Sequence, residues 1–136
     1  MKFVAVTPEK TVVDTDDAQF VVVPLYDGEY GIDVNHSPVV GRLGVGELRL
    51  ILGDSSVQRW FVDGGFVEVA NNVITILTDR AYPSSELNIE DARKKLDVAS
   101  ALPANSLALA DIRTDAVKRA KVMLSLAERV AHEKNN

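Results

Sequence analysis

Gly65-Phe66-Val67-Glu68-Val69-Ala70-Asn71-Asn72-Val73-Ile74-Thr75-Ile76-Leu77-Thr78 places an Asn-Asn pair between two runs of β-branched and aromatic residues. Asn tolerates the positive φ that the central residues of a two-residue turn require. The stretch therefore reads as two strands closed by a tight hairpin. Similar short runs lie on either side of it. Phe3, Ala5 and Thr7 alternate with Lys2, Val4 and Val6, and Pro8 ends the run. Thr11-Val12-Val13-Asp14, Phe20-Val21-Val22-Val23 and Val57-Gln58-Arg59-Trp60-Phe61-Val62 follow the same chemistry. Asp27-Gly28, Gly53-Asp54-Ser55-Ser56 and Asp63-Gly64-Gly65 supply turn signals between them. Many short strands with no helical pattern between them predict an antiparallel β-sandwich or flattened barrel.

One stretch of this first part is unusual. From Gly31 to Leu50 the chain reads as a loop, a tightly bent glycine-rich connector, and then a strand. Gly31, Gly41, Gly44 and Gly46 are half of the 8 glycines in the protein. Such density predicts backbone that takes positive φ or approaches another backbone closely.

After Pro83-Ser84-Ser85 the period changes. Asn88 with Asp91 three residues on resembles a helix cap, and Ile89, Ala92, Leu96 and Ala99 recur at helical spacing. Pro103 is expected to stop that helix. A second follows, with Ile112, Ala116, Ala120, Met123, Ala127 and Val130 on one stripe. Two helices joined by Pro-Ala-Asn-Ser predict an antiparallel hairpin. The stripe is rich in alanine and buries little area, so a mobile appendage is expected. The predicted class is α+β, with a β-sandwich over residues 1–87 and a helical hairpin over residues 88–136.

Charge follows the same division. Through Leu87 there are 6 Lys/Arg and 13 Asp/Glu, a balance of −7; from Asn88 there are 9 and 7, a balance of +2. Together these give the net −5 of the 136-residue chain, which argues against general nucleic-acid binding. With 0 Cys there is neither a disulfide framework nor a thiolate metal site. No apolar run approaches the ~20 residues of a membrane-spanning helix, and Met1 to Pro8 is too brief for a signal-peptide core.

Chemistry-bearing patterns are sparse. His36 and His132 lie far apart and do not read as a metal pair. His36, Ser37 and a nearby carboxylate such as Asp33 supply triad residue types, but adjacent side chains rarely meet in nucleophile–base geometry and no G-x-S-x-G elbow exists. The glycines are followed by no Lys-Ser/Thr pair and no helix, so they do not form a phosphate cradle. Trp60 reads as core, and Asp14, Asp16 and Asp17 as a solvated turn. Lys118-Arg119 with Lys121 forms a basic cluster on the second helix, either a solvated face or a surface for an acidic partner. No enzyme activity is expected, and no cofactor or metal.

Read in order, Val6-Thr7-Pro8-Glu9, Asp27-Gly28-Glu29-Tyr30-Gly31-Ile32, His36-Ser37-Pro38, Leu43…Gly46-Glu47-Leu48, Gly64-Gly65-Phe66-Val67-Glu68-Val69-Ala70-Asn71-Asn72-Val73 and Leu77-Thr78-Asp79-Arg80-Ala81 resemble the epsilon subunit of F-type ATP synthase, called delta in mitochondria. The resemblance covers nearly the whole chain. It implies a non-catalytic rotor part of the central stalk, peripheral on the cytoplasmic face of a bacterial membrane. Its implied partners are the gamma subunit, the membrane-embedded c-ring and the alpha and beta catalytic subunits. It implies Glu29, Asp33 and His36 as c-ring contacts, and Lys118, Arg119 and Lys121 as contacts to acidic loops of the catalytic subunits that restrain ATP hydrolysis. The Gly64-Gly65-Phe66 turn is expected to be structural. Asp33-Val34-Asn35 departs from the family, which has an apolar residue and then Pro-Gly or Pro-Asn there. Some relatives bind regulatory ATP on the hairpin through Ile-Asp-x-x-Arg-Ala; Asp115 and Arg119 stand here four residues apart rather than three, with Thr114 before the Asp. The rival expectation is a free-standing β-sandwich adaptor or ligand-binding protein unrelated to ATP synthesis.

Overall fold

Asn71 and Asn72 take φ of 53° and 62°, as a two-residue hairpin demands. The computed structural model describes residues 1–134. Eight strands come first: β1 (Lys2–Val6), β2 (Thr11–Thr15), β3 (Ala18–Leu25), β4 (Gly28–Asp33), β5 (Val39–Leu52), β6 (Val57–Ala70), β7 (Val73–Leu77) and β8 (Ala81–Pro83). A 3-10 turn at Ser84–Glu86 leads to α1 (Ile89–Ser100) and α2 (Leu107–Lys134). Two compact units result, the first spanning Met1–Pro83 and the second beginning at Ser84.

The strands form one hydrogen-bonded array in the order β2-β1-β7-β6-β5-β3-β4, with β8 against β6. Its faces close on a single core of Phe3, Val21, Val23, Ile32, Leu48, Leu50, Val67, Val69, Ile74 and Ile76, among others. Strand alternation selects these residues. Phe3 and Ala5 point inward from β1, and Ile74 and Ile76 from β7. Each fully buried branched side chain contributes roughly 1.5–3 kcal/mol relative to exposure. Trp60 is half-buried and packs against this core.

The structure corrects three expectations. First, the sheet is not wholly antiparallel, because β1 pairs with β7 in parallel register from Lys2↔Val73 to Val6↔Leu77. The two strands are remote in sequence, so no short hairpin constrains their direction. Second, the glycine-rich connector is itself strand: β5 is continuous through Gly41, Gly44 and Gly46. None of these three, nor Gly31, has positive φ. They serve close approach instead. A Cβ on Gly46 would stand 2.5 Å from the Pro24 ring, and one on Gly31 would stand 2.7 Å from the Phe20 ring. Around Gly46 the β3–β5 register breaks between Val22↔Arg49 and Leu25↔Leu43, so Gly44 to Leu48 lie opposite only Val23 and Pro24. Pro24 has no N–H to give a ladder, and the irregularity spares it that role.

Third, Val57–Val62 and Gly65–Val69 are one strand rather than two. Gly64 and Gly65 take φ of 71° and 107° inside β6 without ending it. The pairing with β5 keeps one register on both sides, Leu43↔Gly65 and Val45↔Asp63. What changes there is the other neighbour, which is β8 before the glycines and β7 after them.

In the helical unit, Asn88 Oδ1 accepts from the Asp91 N–H at 3.1 Å, the expected cap. The first helix ends at Ser100, ahead of Pro103, because the residue before a proline avoids helical backbone. Ser106 caps the second through Leu109 N–H to Oγ at 3.1 Å. The inner stripe differs from expectation at its start. Ala120, Met123, Leu126 and Ala127 are buried, whereas Ile112 is 58% exposed. The helices pair off-register: Lys95 Nζ lies 3.9 Å from Met123 Sδ, and the 12 residues of α1 run beside the later part of the 28-residue α2. The first turns of α2 overhang, leaving Leu107 and Ile112 in water.

Candidate functional site

Strand β4 alternates cleanly. Ile32 is buried and Tyr30 half-buried on one side, while Glu29, Gly31 and Asp33 face out. Asp33 lies four positions after Glu29, about 13 Å along a strand. The three candidate contact residues of the sandwich are therefore not one cluster. Asp33 and His36 share the turn after β4, and Glu29 stands at the other end of the strand.

That turn is tightly specified. The His36 N–H donates to Asp33 O at 3.2 Å. Asn35 takes φ of 64°, and its N–H donates to Asn72 Oδ1 at 2.8 Å. The imidazole is held at both nitrogens, with Nδ1 2.6 Å from the Ser37 carbonyl oxygen and Nε2 2.8 Å from the Tyr30 hydroxyl. A carbonyl can only accept, so Nδ1 carries the proton of the neutral ring and Nε2 accepts from Tyr30. The two rings meet edge to face, with centroids 5.5 Å apart. His36 thus uses the backbone of Ser37 and a tyrosine, an arrangement that braces a loop and activates no nucleophile. Among the described residues no three His, Cys, Asp or Glu side chains gather as a metal site.

Glu29 belongs to a different arrangement. Its Oε2 lies 3.2 Å from Arg49, and Glu47 Oε1 lies 3.3 Å from Arg49 and 2.9 Å from Arg59. Arg49 and Arg59 face each other directly across β5 and β6. Like charges in that position repel, and Glu47 between them offsets the repulsion. The Glu47-x-Arg49 spacing, period two on a strand, is the only trace of this ladder in the sequence.

A second feature of the sandwich escaped the sequence reading. Val40, Phe66, Leu77 and Tyr26 are 73%, 58%, 54% and 72% exposed. Arg42, Phe66 and Leu77 are consecutive partners across β5, β6 and β7, and the Arg42 guanidinium lies 5.2 Å from the Tyr26 ring centroid. Beside them runs an open groove of about 690 Å³, bordered by Val6, Thr7, Pro8 and Asp79. Outward-facing large side chains break the apolar-in, polar-out rule of a sandwich strand, and that signal was legible at Phe66 and Leu77.

On the hairpin the basic triplet divides. Lys118 and Lys121 are exposed and line a shallow groove with Arg113 and Thr114. Arg119 is half-buried, on the helix face of Met123 and Leu126. Asp115 is exposed one turn before Arg119. A spacing closer to Ile-Asp-x-x-Arg occurs at Ile89-Glu90-Asp91-Ala92-Arg93 on α1, with Glu in place of Asp; the sequence reading passed over it.

Residues 1–84 match the family model described as "ATP synthase, Delta/Epsilon chain, beta-sandwich domain". The ATP synthase epsilon chain of Rhodopirellula baltica is 42% identical over 91% of this chain and 95% of its own length. That of Symbiobacterium thermophilum is 38% identical over 99% and 98%. Among solved structures, a chain of the Tetrahymena thermophila mitochondrial ATP synthase central stalk and c-ring superposes with a TM-score of 0.74 at 15% identity, covering 93% of this chain and 96% of that one. A chain of the Euglena gracilis mitochondrial enzyme gives 0.73 at 20%, covering 96% and 79%. The last two likenesses concern fold, and the sequence matches concern descent: this chain belongs to the ATP synthase delta/epsilon family.

Proposed function

We propose that the chain is the epsilon subunit of a bacterial F-type ATP synthase, a rotor part without an active site of its own. Its sandwich binds the gamma subunit and rests on the polar loops of the c-ring, coupling ion flow to rotation. The subunit is held at the cytoplasmic face of the membrane through the complex, and no described helix is long and apolar enough to cross a membrane. The observation that carries this reading is the outward stripe of Phe66, Leu77, Tyr26 and Val40 beside an open groove. Contiguous large apolar side chains on an otherwise well-formed sandwich mark a docking surface. We assign this stripe to gamma and the Asp33–His36 turn to the ring, with Glu29 a separate contact further along β4. Lys118 and Lys121 supply an exposed cationic face on the hairpin for acidic loops of the catalytic subunits, and through them restrain hydrolysis.

Co-precipitation of the full chain with the gamma subunit tests the reading. The wild type is expected to bind, and Phe66→Asp with Leu77→Asp is expected to lose binding while keeping its circular dichroism. A wild type that does not bind gamma overturns the assignment; a double variant that still binds moves the contact off this stripe. Lys118→Ala with Lys121→Ala is expected to raise ATPase activity of the assembled enzyme, and unchanged activity removes the hairpin's restraining role.

A further inference from the structure

The Asn71-Asn72 turn reverses the chain, but Asn72 also touches two other segments. Its backbone carbonyl accepts from the Lys2 N–H at 3.3 Å, at the start of β1. Its side-chain Oδ1 accepts from the Asn35 N–H at 2.8 Å, across 37 residues of sequence. The hairpin sets the Asn72 backbone at φ 62°, which anchors the Cα from which the side chain reaches Asn35. Asn35 needs a restraint. It sits at φ 64° in an exposed turn whose one internal backbone bond is His36 N–H to Asp33 O. Asn enters left-handed backbone more readily than other side chains, so a hydrogen bond from outside the turn is what selects that conformation among those open to it. The His36 ring braces the far side of the turn through Tyr30 and Ser37. Asn72 braces the near side.

We propose that Asn72 is a positioning residue for the Asp33–His36 turn: by holding the Asn35 N–H it fixes the turn in the one conformation that meets the polar loops of the ring. The inference rests on the assignment of this turn to the ring. A preordered turn loses less conformational freedom on binding, so the clamp raises affinity without touching the partner.

Two variants isolate the clamp. Asn72→Gly keeps the positive φ of the hairpin and deletes the acceptor. Asn72→Asp keeps both. The full-length chain carrying each is measured in two ways, by amide hydrogen exchange at Asn35 and by retention on a gamma–c-ring complex assembled without it. Asn72→Gly is expected to speed Asn35 exchange and weaken retention, each by about threefold to tenfold, the range for one neutral hydrogen bond. Asn72→Asp is expected to restore both. Unchanged exchange at Asn35 in Asn72→Gly, unchanged retention, or failure of Asn72→Asp to rescue overturns the proposal. The underlying assignment has its own control: Asp33→Asn with His36→Gln must weaken retention. If that pair leaves retention unchanged, the turn is not the ring contact and the proposal falls with it. If that pair weakens retention and Asn72→Gly does not, the positioning role alone is overturned.

Discussion

Replacing Gly65 by Ala would put a methyl group where the fold has no room for one. Gly65 has φ of 107°, and an added Cβ would stand 1.8 Å from the Leu77 carbonyl oxygen and 2.8 Å from Thr78 Cα. Both are backbone atoms at the end of β7, so no side-chain rotation relieves the clash. The φ alone costs about 1–3 kcal/mol for an alanine. Moving β7 away to admit the methyl disrupts the Phe66↔Leu77 pairing. Exposing or orphaning those backbone groups costs about 1–3 kcal/mol more. A total of about 2–6 kcal/mol is then expected, and at ~4–8 °C per kcal/mol for a domain of this size the melting temperature falls by roughly 8 °C or more. Gly64 provides the control. It has φ of 71° but nothing within 4 Å of an added Cβ, so Gly64→Ala carries only the backbone term, about 1–2 kcal/mol. Thermal and urea unfolding of the two variants, followed by circular dichroism and Trp60 fluorescence, separates the contributions. Equal destabilisation by Gly64→Ala and Gly65→Ala would refute the argument, since both carry a positive φ and the clash is what sets Gly65 apart.

Three further outcomes are expected. Tyr30→Phe removes the donor to His36 Nε2 and is expected to cost about 0.5–1.5 kcal/mol, with faster amide exchange in the turn after β4; unchanged exchange there counts against the bracing role. Asn88→Ala deletes the cap of α1 and is expected to cost the helical unit about 1 kcal/mol, while Asn88→Asp is close to neutral; amide exchange at Asp91 reports the difference. Asp54 is held below the ordinary carboxylate value of 3.8 by hydrogen bonds from the Ser56 hydroxyl and then the Ser56 N–H. A depressed folded value means its support is complete above the unfolded value and lost as pH falls through the folded one, so the Gly53–Ser56 turn is expected to loosen only below about pH 3.8. Ser56→Ala should return the carboxyl towards its ordinary value in an NMR titration.

The parts of this fold legible in sequence are those decided by neighbours along the chain. Alternation at Phe3 and Ala5, positive φ at Asn71 and Asn72, and the Asn88 cap all follow from local chemistry. What escaped depends on partners distant in sequence. Gly46 looked like a turn residue, yet its purpose is the Pro24 ring on another strand. Gly64-Gly65 looked like a chain reversal, and only the ladder to β5 reveals that the strand continues. The same holds for the candidate site. His36 stands out by its motif, and Tyr30 is only six residues before it, but the Asn72 clamp on Asn35 spans 37 residues and no local pattern records it. Adjacency groups Arg119 with Lys118 and Lys121, whereas helical geometry turns it towards the buried face of Met123 and Leu126.

The two 14-residue strands β5 and β6 stay in one register from Val39↔Val69 to Ile51↔Val57. Along that length they exchange other neighbours, β3 and β8 at one end and β7 at the other, so β1 and β2 join the array through β7, and β4 through β3. In mechanical terms the pair is a spar. One part of the sandwich cannot shear past the other without breaking the ladder of backbone hydrogen bonds between β5 and β6. A component that must turn with a shaft and take up torque at its rim needs that stiffness.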